Sequence, residues 1–110
     1  MKHILLVEDD LTYSRIVKTF LEKNGFSVQT AIKVKEAQQL FSNSKFDLII
    51  ADFRLPDGTG MELLQWSKIN YPQTQVILIT HYSDIRIAIK AMKLGAFEYI
   101  TKPINPDELL

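Results

Sequence analysis

The chain has 110 residues, 46% of them hydrophobic and 24% charged, which suits one globular domain with its own core. Thirteen basic and thirteen acidic side chains give a formal net charge of zero, so no overall positive field favours DNA or a membrane surface. The absence of cysteine excludes a disulfide framework, a thiolate metal site and a cysteine nucleophile, and it fits a reducing compartment, so we expect a cytoplasmic protein.

Five apolar runs recur along the chain. Runs that stay apolar instead of alternating with polar residues are typical of parallel strands covered on both faces, and two of the five runs, residues 26–31 and 97–100, are weaker. The runs are residues 4–7, 26–31, 46–51, 76–79 and 97–100. Because helical patterns separate them, we predict an α/β domain with a parallel sheet and right-handed crossovers.

Two of the helical patterns are strongly amphipathic. Apolar residues at helical spacing predict one helix from Tyr13, Ile16, Val17, Phe20 and Leu21 and another from Ile85, Ala88, Ile89 and Met92. Each ends in a basic turn followed by a glycine, Gly25 or Gly95, which can adopt the left-handed conformation.

The other helical segments are shorter or less regular. Residues 34–41 predict a short helix, and residues 61–70 predict one with two competing apolar faces that ends at Tyr71-Pro72. Asn105 and Pro106 have the sequence of a helix start, and the chain then stops at Leu110. We therefore expect this last helix to be truncated and the natural chain to be longer.

Acidic residues follow two of the predicted strands. Glu8 and Asp9 come directly after the first strand, and Asp52 ends the third. The carboxyl ends of parallel strands converge on one crevice, so these carboxylates should meet and repel each other unless a cation is present. Mg²⁺ suits such an acidic crevice because it binds a few carboxylates and completes its shell with water and phosphate oxygens. Asp10 is instead predicted to cap the first helix.

Phosphoryl chemistry is indicated by three polar residues at strand ends. Asp52 is a carboxylate of the kind that attacks phosphoryl groups, Thr80 closes the fourth strand, and Lys102 follows the fifth. A hydroxyl and an ammonium suit phosphoryl oxygens, although threonine in a strand and lysine on a surface are common without any such role. Pro56 and nearby glycines predict a defined turn after Asp52, which either aims a backbone carbonyl at the metal or is an ordinary loop.

Four motifs give the chain a family resemblance: residues 7–10, 52–60, 79–80 and 99–103. With these motifs the chain resembles the receiver domain of a two-component response regulator, from residue 2 to its end. The resemblance implies a flavodoxin-like, doubly wound (βα)5 three-layer sandwich whose five-stranded parallel sheet has the order 2-1-3-4-5. It also implies one receiver domain over residues 1–110, forming the N-terminal part of a longer regulator.

The resemblance assigns roles around the acidic crevice. It makes Asp52 the phosphoacceptor in a reaction that requires Mg²⁺ or Mn²⁺. Asp9, Asp52 and the backbone carbonyl of Arg54 would contact the metal directly, and Glu8 would do so through a water molecule.

The resemblance assigns further roles at the fourth and fifth strands. Lys102 would pair with Asp52 and then with the phosphoryl group, while Thr80 and Tyr99 would form the switch, although Tyr99 is also a plausible packed strand aromatic. His81 departs from the small residue usual in the family, and we predict that it modulates access to the phosphoryl group; an exposed loop histidine is an equal alternative.

The implied partners are a sensor histidine kinase or phosphotransfer protein, and a second copy docked through the face of the fourth helix, fifth strand and fifth helix. Residues 92–103 resemble most those receivers that form the input domain of nitrogen-regulatory-type transcription activators. DNA contact would then belong to other domains, and neither DNA binding nor membrane binding is expected of this segment.

Three alternatives remain open from the sequence. An aspartate-nucleophile phosphohydrolase would usually carry a second aspartate where Arg54 stands. A flavin binder of similar topology would need a phosphate-cradling loop where Glu8, Asp9 and Asp10 stand. A degenerate receiver would act only as a docking module, although the acidic, hydroxyl and lysine positions are all intact.

Overall fold

The computed structural model describes residues 2–80 and 85–101. Within these ranges the strands of the main sheet are β1 (His3–Val7), β2 (Ser27–Ala31), β3 (Leu48–Asp52), β4 (Gln75–Thr80) and β5 (Glu98–Thr101). The helices are α1 (Leu11–Lys23), α2 (Val34–Leu40), α3 (Gly60–Asn70) and α4 (Ile85–Lys93). Strands and helices therefore alternate as the sequence predicted.

All neighbouring strands of the main sheet are parallel, in the order β2-β1-β3-β4-β5. This confirms the flavodoxin-like fold class and the strand order that the resemblance implied. The predicted truncated helix after residue 104 lies outside the described residues, so its prediction stays open. Within the described part of the chain, no helix has the length and apolar character needed to cross a membrane.

Alternate residues of the strands face two separate apolar layers. Leu5 and Val7 of β1 belong to a core cluster that includes residues of α2, α3 and α4. Ile4 and Leu6 face the opposite side, where they pack with Val17 and Leu21 of α1. The continuous apolar runs are explained by this arrangement, because both faces of each central strand are buried.

The predicted helix ends are present. The side chain of Asp10 caps α1 by accepting a hydrogen bond from the amide of Tyr13 at 3.1 Å. Gly25 and Gly95 have φ angles of 92° and 101°, in the left-handed region that favours glycine. The short-range signals in the sequence were therefore sufficient to place these ends.

Helix α4 buries a different face from the one predicted. Ala91 is fully buried, and Ile87 and Leu94 pack against the core, whereas Ile89 and Met92 are 49% and 47% exposed. Residues 87, 91 and 94 have helical spacing, as do residues 85, 88, 89 and 92, so periodicity alone cannot choose between the two stripes. In α1, likewise, Ile16 is exposed and Ser14 is buried.

The irregular pattern of α3 has a simple cause. Its buried residues lie on a broad surface instead of a narrow stripe: Gly60, Met61, Leu63, Leu64 and Ser67. Before this helix, Arg54–Leu55 and Gly58–Thr59 form a small antiparallel hairpin with Pro56 and Asp57 at its tip. The predicted defined turn after Asp52 is this hairpin.

Candidate phosphoryl and metal site

The fold brings the three predicted acids together. Glu8, Asp9 and Asp52 each offer a carboxylate oxygen, and these oxygens lie within 4.8 Å of one another. They meet because β1 and β3 are parallel neighbours in which Val7 lies opposite Ala51, so that both strands end at the same edge of the sheet. The sequence argument from converging strand ends predicted this grouping.

The acids differ in their exposure to solvent. Glu8 and Asp52 are each only 3% exposed, whereas Asp9 is exposed. Two buried carboxylates beside a third carry a high electrostatic cost, because charges are poorly screened away from water. An all-oxygen set with one open side suits a hard divalent cation such as Mg²⁺. The donor chemistry of the site therefore fits the metal that the sequence predicted.

The turn after β1 holds Glu8 in place. Its backbone amide donates to the carbonyl of Ala31 on β2 at 2.9 Å, and its Oε2 accepts from the amide of Asp10 at 3.3 Å. The side chain of Asp10 in turn caps α1. The three consecutive acids thus divide into two that join the cluster and one that forms a helix cap.

The hairpin after β3 is held close against the end of that strand. The amide of Phe53 donates to the carbonyl of Ile79 on β4 at 2.6 Å, and the amide of Gly60 donates to the carbonyl of Phe53 at 2.8 Å. A Cβ atom at Gly60 would lie 2.5 Å from the carbonyl oxygen of Asp52 and 2.7 Å from Cδ1 of Leu78. Only glycine allows this approach without displacing the backbone of Asp52.

The hairpin ladder determines the direction of the Arg54 carbonyl. Arg54 pairs with Thr59, and the hydrogen bond from Gly60 to Phe53 flanks that pair. In antiparallel ladders hydrogen-bonded and non-hydrogen-bonded pairs alternate, so Arg54 and Thr59 form a non-hydrogen-bonded pair. The carbonyl of Arg54 therefore points away from the partner strand and takes no part in the ladder.

One residue that the sequence analysis did not single out holds the tip of the hairpin. Oδ1 of Asp57 accepts from the amide of Val34 at 2.7 Å, and its Oδ2 accepts from the amide of Lys35 at 2.9 Å. Desolvation raises the pKa of Asp57, but these two hydrogen bonds and the nearby Lys33 outweigh it and leave the pKa below its ordinary value. The Pro-Asp-Gly sequence signals a turn but not this contact with a distant helix.

The two predicted switch residues lie on neighbouring strands. Thr80 is buried at 4% exposure, and Tyr99 is half-buried. Leu78 is the register partner of Tyr99, and side chains two apart on a strand share a face, so Thr80 and Tyr99 project from the same face of the sheet. This is the face that carries the core residues of α4. Lys102 and His81 lie outside the described residues, so their predicted roles are untested by the geometry.

Comparison with known proteins agrees with this geometry. Residues 4–110 match the family described as response regulator receiver domain. The response regulator protein PilR of Pseudomonas aeruginosa is 39% identical over 101 residues, which cover 92% of this chain and 23% of PilR. The alginate biosynthesis transcriptional regulatory protein AlgB of the same organism is 36% identical over 106 residues, covering 96% of this chain and 24% of AlgB. The chain thus spans about a quarter of the length of these relatives.

A solved structure is also similar over nearly the whole chain. It is a response regulator protein from Burkholderia pseudomallei, described with a phosphorylated aspartic acid, a calcium ion and citrate. The TM-score is 0.91 at 28% identity, covering 99% of this chain and 64% of that one. The family match over residues 4–110, with relatives of this similarity, shows that the chain belongs to the receiver domain family of two-component response regulators.

Proposed function

We propose that this domain is a phosphorylation-activated switch in which Asp52 accepts a phosphoryl group from the phosphohistidine of a sensor kinase or phosphotransfer protein. A carboxylate oxygen of Asp52 attacks phosphorus as the N–P bond of the phosphohistidine breaks, and the released imidazole nitrogen keeps the electron pair and takes up a proton. The domain would catalyse its own phosphorylation and dephosphorylation without turning over an external metabolite.

The observation that carries this proposal is the cluster of Glu8, Asp9 and Asp52 with oxygens within 4.8 Å of one another. Asp9, Asp52 and the outward carbonyl of Arg54 would hold Mg²⁺ or Mn²⁺, with Glu8 acting through a water molecule. When bound, the metal offsets the negative charge of the acids and of the phosphoryl oxygens. The phosphorylated aspartic acid and calcium ion of the Burkholderia regulator support the same chemistry here.

The output of the switch would pass through the face shared by Thr80 and Tyr99. A phosphoryl group on Asp52 adds negative charge and acceptor oxygens at the strand ends, which favours an inward position of the Thr80 hydroxyl. Tyr99 lies on the same face and α4 packs over it, so a change there reaches the exposed residues Ile89 and Met92. Lys102 would pair with the phosphoryl group.

We also propose that the domain is the single receiver module, over residues 1–110, of a longer cytoplasmic transcription regulator. The name of the relative AlgB as a transcriptional regulatory protein supports this, as does the resemblance to nitrogen-regulatory-type activators. Partners would be the kinase and a second copy bound through α4, β5 and the following helix. DNA contact would belong to another part of the regulator.

The proposal is tested by incubating the domain with Mg²⁺ and acetyl phosphate and then measuring intact mass. We expect one phosphoryl adduct on the wild type and none on Asp52→Asn. Asp47→Asn is a matched control, because Asp47 is a carboxylate at the opposite edge of the sheet that accepts a hydrogen bond from the amide of His3. A wild type that takes up no phosphoryl group, or an adduct that survives Asp52→Asn, would contradict the assignment.

The role of His81 is tested with the same assay. We expect His81→Ala to change the lifetime of the aspartyl phosphate, because a bulky side chain next to Thr80 would restrict the approach of water. Equal dephosphorylation rates in the two proteins would remove His81 from the mechanism.

A further inference from the structure

The hairpin between β3 and α3 is held at both of its ends. Its base is joined to the sheet by the hydrogen bond from Phe53 to Ile79 and by the close approach of Gly60 to Asp52, and the hydrogen bond from Gly60 to Phe53 closes the hairpin there. Its tip is joined to α2 by Asp57. Arg54 lies between these two attachments, one residue after Phe53 and three before Asp57.

The attachment at the tip is a tertiary contact of good geometry. The carboxylate of Asp57 accepts two hydrogen bonds, at 2.7 Å and 2.9 Å, from amides that are 23 and 22 residues away in the chain. Charge-assisted hydrogen bonds of this length are among the stronger ones in proteins, and free amides at the start of a helix favour a negative charge. Lys33, which stands at the N-cap position of α2, makes no side-chain capping bond, so Asp57 takes over that function from another part of the chain.

Glu36 is the other carboxylate near the start of α2, and it makes a different contact. Oε1 of Glu36 accepts from the amide of Ile32 at 2.8 Å and so closes the turn between β2 and α2. This contact stays within one segment and does not reach the hairpin. Of these two carboxylates near the start of α2, Asp57 is therefore the one that joins α2 to the hairpin.

We propose that Asp57 is a positioning residue for the metal site, which it serves by fixing the hairpin that presents the Arg54 carbonyl. This inference rests on the proposed function. The side chain of Leu55 anchors the hairpin in the core at 9% exposure, whereas Pro56 and Asp57 at the tip are exposed, and Asp57 joins the tip to α2. Mg²⁺ requires near-ideal octahedral geometry, so greater freedom of one carbonyl ligand lowers affinity even when all the ligands are intact.

The test is a Mg²⁺ titration by calorimetry of the wild type, Asp57→Ala, Asp57→Asn and Glu36→Gln. We expect Asp57→Ala to raise the dissociation constant ~10-fold, the lower end of the effect of losing a residue that orients a metal ligand. Asn keeps the size and one acceptor, so Asp57→Asn should have a smaller effect in the same direction. Glu36→Gln should remain within about twofold of the wild type, because it leaves the hairpin contact intact.

Three further measurements separate positioning from general weakening of the fold. Hydrogen exchange at the amides of Val34 and Lys35 should show that the contact is lost in Asp57→Ala, and urea unfolding should show that the variant is folded. The rate of phosphorylation by acetyl phosphate should recover at saturating Mg²⁺, since Asp57 affects the affinity for metal and not the attack by Asp52.

The outcomes distinguish this inference from the proposed function. If the wild type binds Mg²⁺ and Asp57→Ala binds it equally well despite losing amide protection, Asp57 has only a structural role and the inference is overturned alone. If the wild type neither binds Mg²⁺ nor takes up phosphate, the proposed function is overturned and the positioning role with it.

Discussion

The carboxyl ends of the strands form one edge of the sheet (the carboxyl edge), and their amino ends form the other (the amino edge). The two edges contain residues of different chemistry. At the carboxyl edge the chain buries two carboxylates beside a third and presses a glycine against the backbone of Asp52. The amino edge instead has a cluster of packed rings with centroid separations from 4.4 Å to 5.4 Å: His3, Phe41, Phe46, Trp66 and Tyr71. Ring packing of this kind contributes to stability, whereas clustered acids cost stability unless a cation is bound. The rings that stabilise the fold and the acids of the candidate site therefore lie at opposite ends of the strands.

The largest expected effect is on stability at the amino edge. Phe41 is 5% exposed and its ring lies 4.4 Å from that of Tyr71 and 5.0 Å from that of Phe46. Phe41→Ala should therefore lower the free energy of unfolding by about 3–5 kcal/mol, the usual cost of removing a buried aromatic side chain. Urea unfolding followed by the fluorescence of Trp66 measures this change.

Phe97→Ala is the matched control, because Phe97 is 57% exposed and its loss should cost less than about 1 kcal/mol. Folded Phe41→Ala should bind Mg²⁺ with the affinity of the wild type. A loss of metal affinity in that variant would show that the two edges are not independent.

The next effect is expected at the base of the hairpin. Gly60→Ala places a methyl group 2.5 Å from the carbonyl oxygen of Asp52, and the backbone there cannot move without disturbing Asp52, the proposed phosphoacceptor. We expect a loss of about 3 kcal/mol in unfolding free energy from overpacking, together with slower phosphorylation by acetyl phosphate.

Gly25→Ala separates steric from conformational effects. Apart from its two chain neighbours, no described residue has an atom within 4 Å of a Cβ at Gly25, whose φ is 92°, so this variant should suffer only the left-handed strain of about 1–2 kcal/mol. It should phosphorylate normally. Equal phosphorylation of Gly60→Ala and Gly25→Ala would refute the importance of the close approach to Asp52.

A gain in stability is expected when the charge of Asp52, the proposed phosphoacceptor, is removed. In metal-free buffer, Asp52→Asn relieves the repulsion among three carboxylates and should raise the unfolding free energy by about 1–2 kcal/mol, as for other functional residues that cost stability. Saturating Mg²⁺ should reduce this difference, because the metal stabilises the wild type more. If Asp52→Asn were less stable than the wild type, the clustered acids at the carboxyl edge would not lower the stability of the domain, and this prediction would be wrong.

The smallest expected effect concerns the pH dependence of the hairpin contact. The folded-state pKa of Asp57 is lowered, so its contribution to stability is fully present above its unfolded-state pKa of about 3.9 and is lost as the pH falls through the lower folded value. The difference in urea midpoint between the wild type and Asp57→Asn should therefore be constant near neutral pH and shrink in acid. Glu36→Gln is the control, because it removes the other carboxylate near the start of α2 and leaves Asp57 in place. A difference that is unchanged down to pH 2 would exclude the carboxylate as its source.

The sequence by itself determined the fold class, the strands, the caps and the grouping of the acids. These follow from local rules: continuous apolar runs, a glycine after a basic turn, and residues at the ends of parallel strands, which must share one edge of the sheet. Glu8, Asp9 and Asp52 are brought together by that last rule alone, although Asp52 is more than forty residues from the other two. The chain also indicated its family through motifs that stand at these same strand ends.

Only the tertiary structure decided which of two helical stripes of α4 is buried, that Asp57 holds α2, and that Gly60 touches the backbone of Asp52. The physical reason is the same in each case. Periodicity and turn chemistry describe residues that are neighbours in the chain, whereas these contacts depend on how separate elements pack, which no single segment specifies. The strand ends brought the acids together, and the packing around them fixed the loop that presents the Arg54 carbonyl.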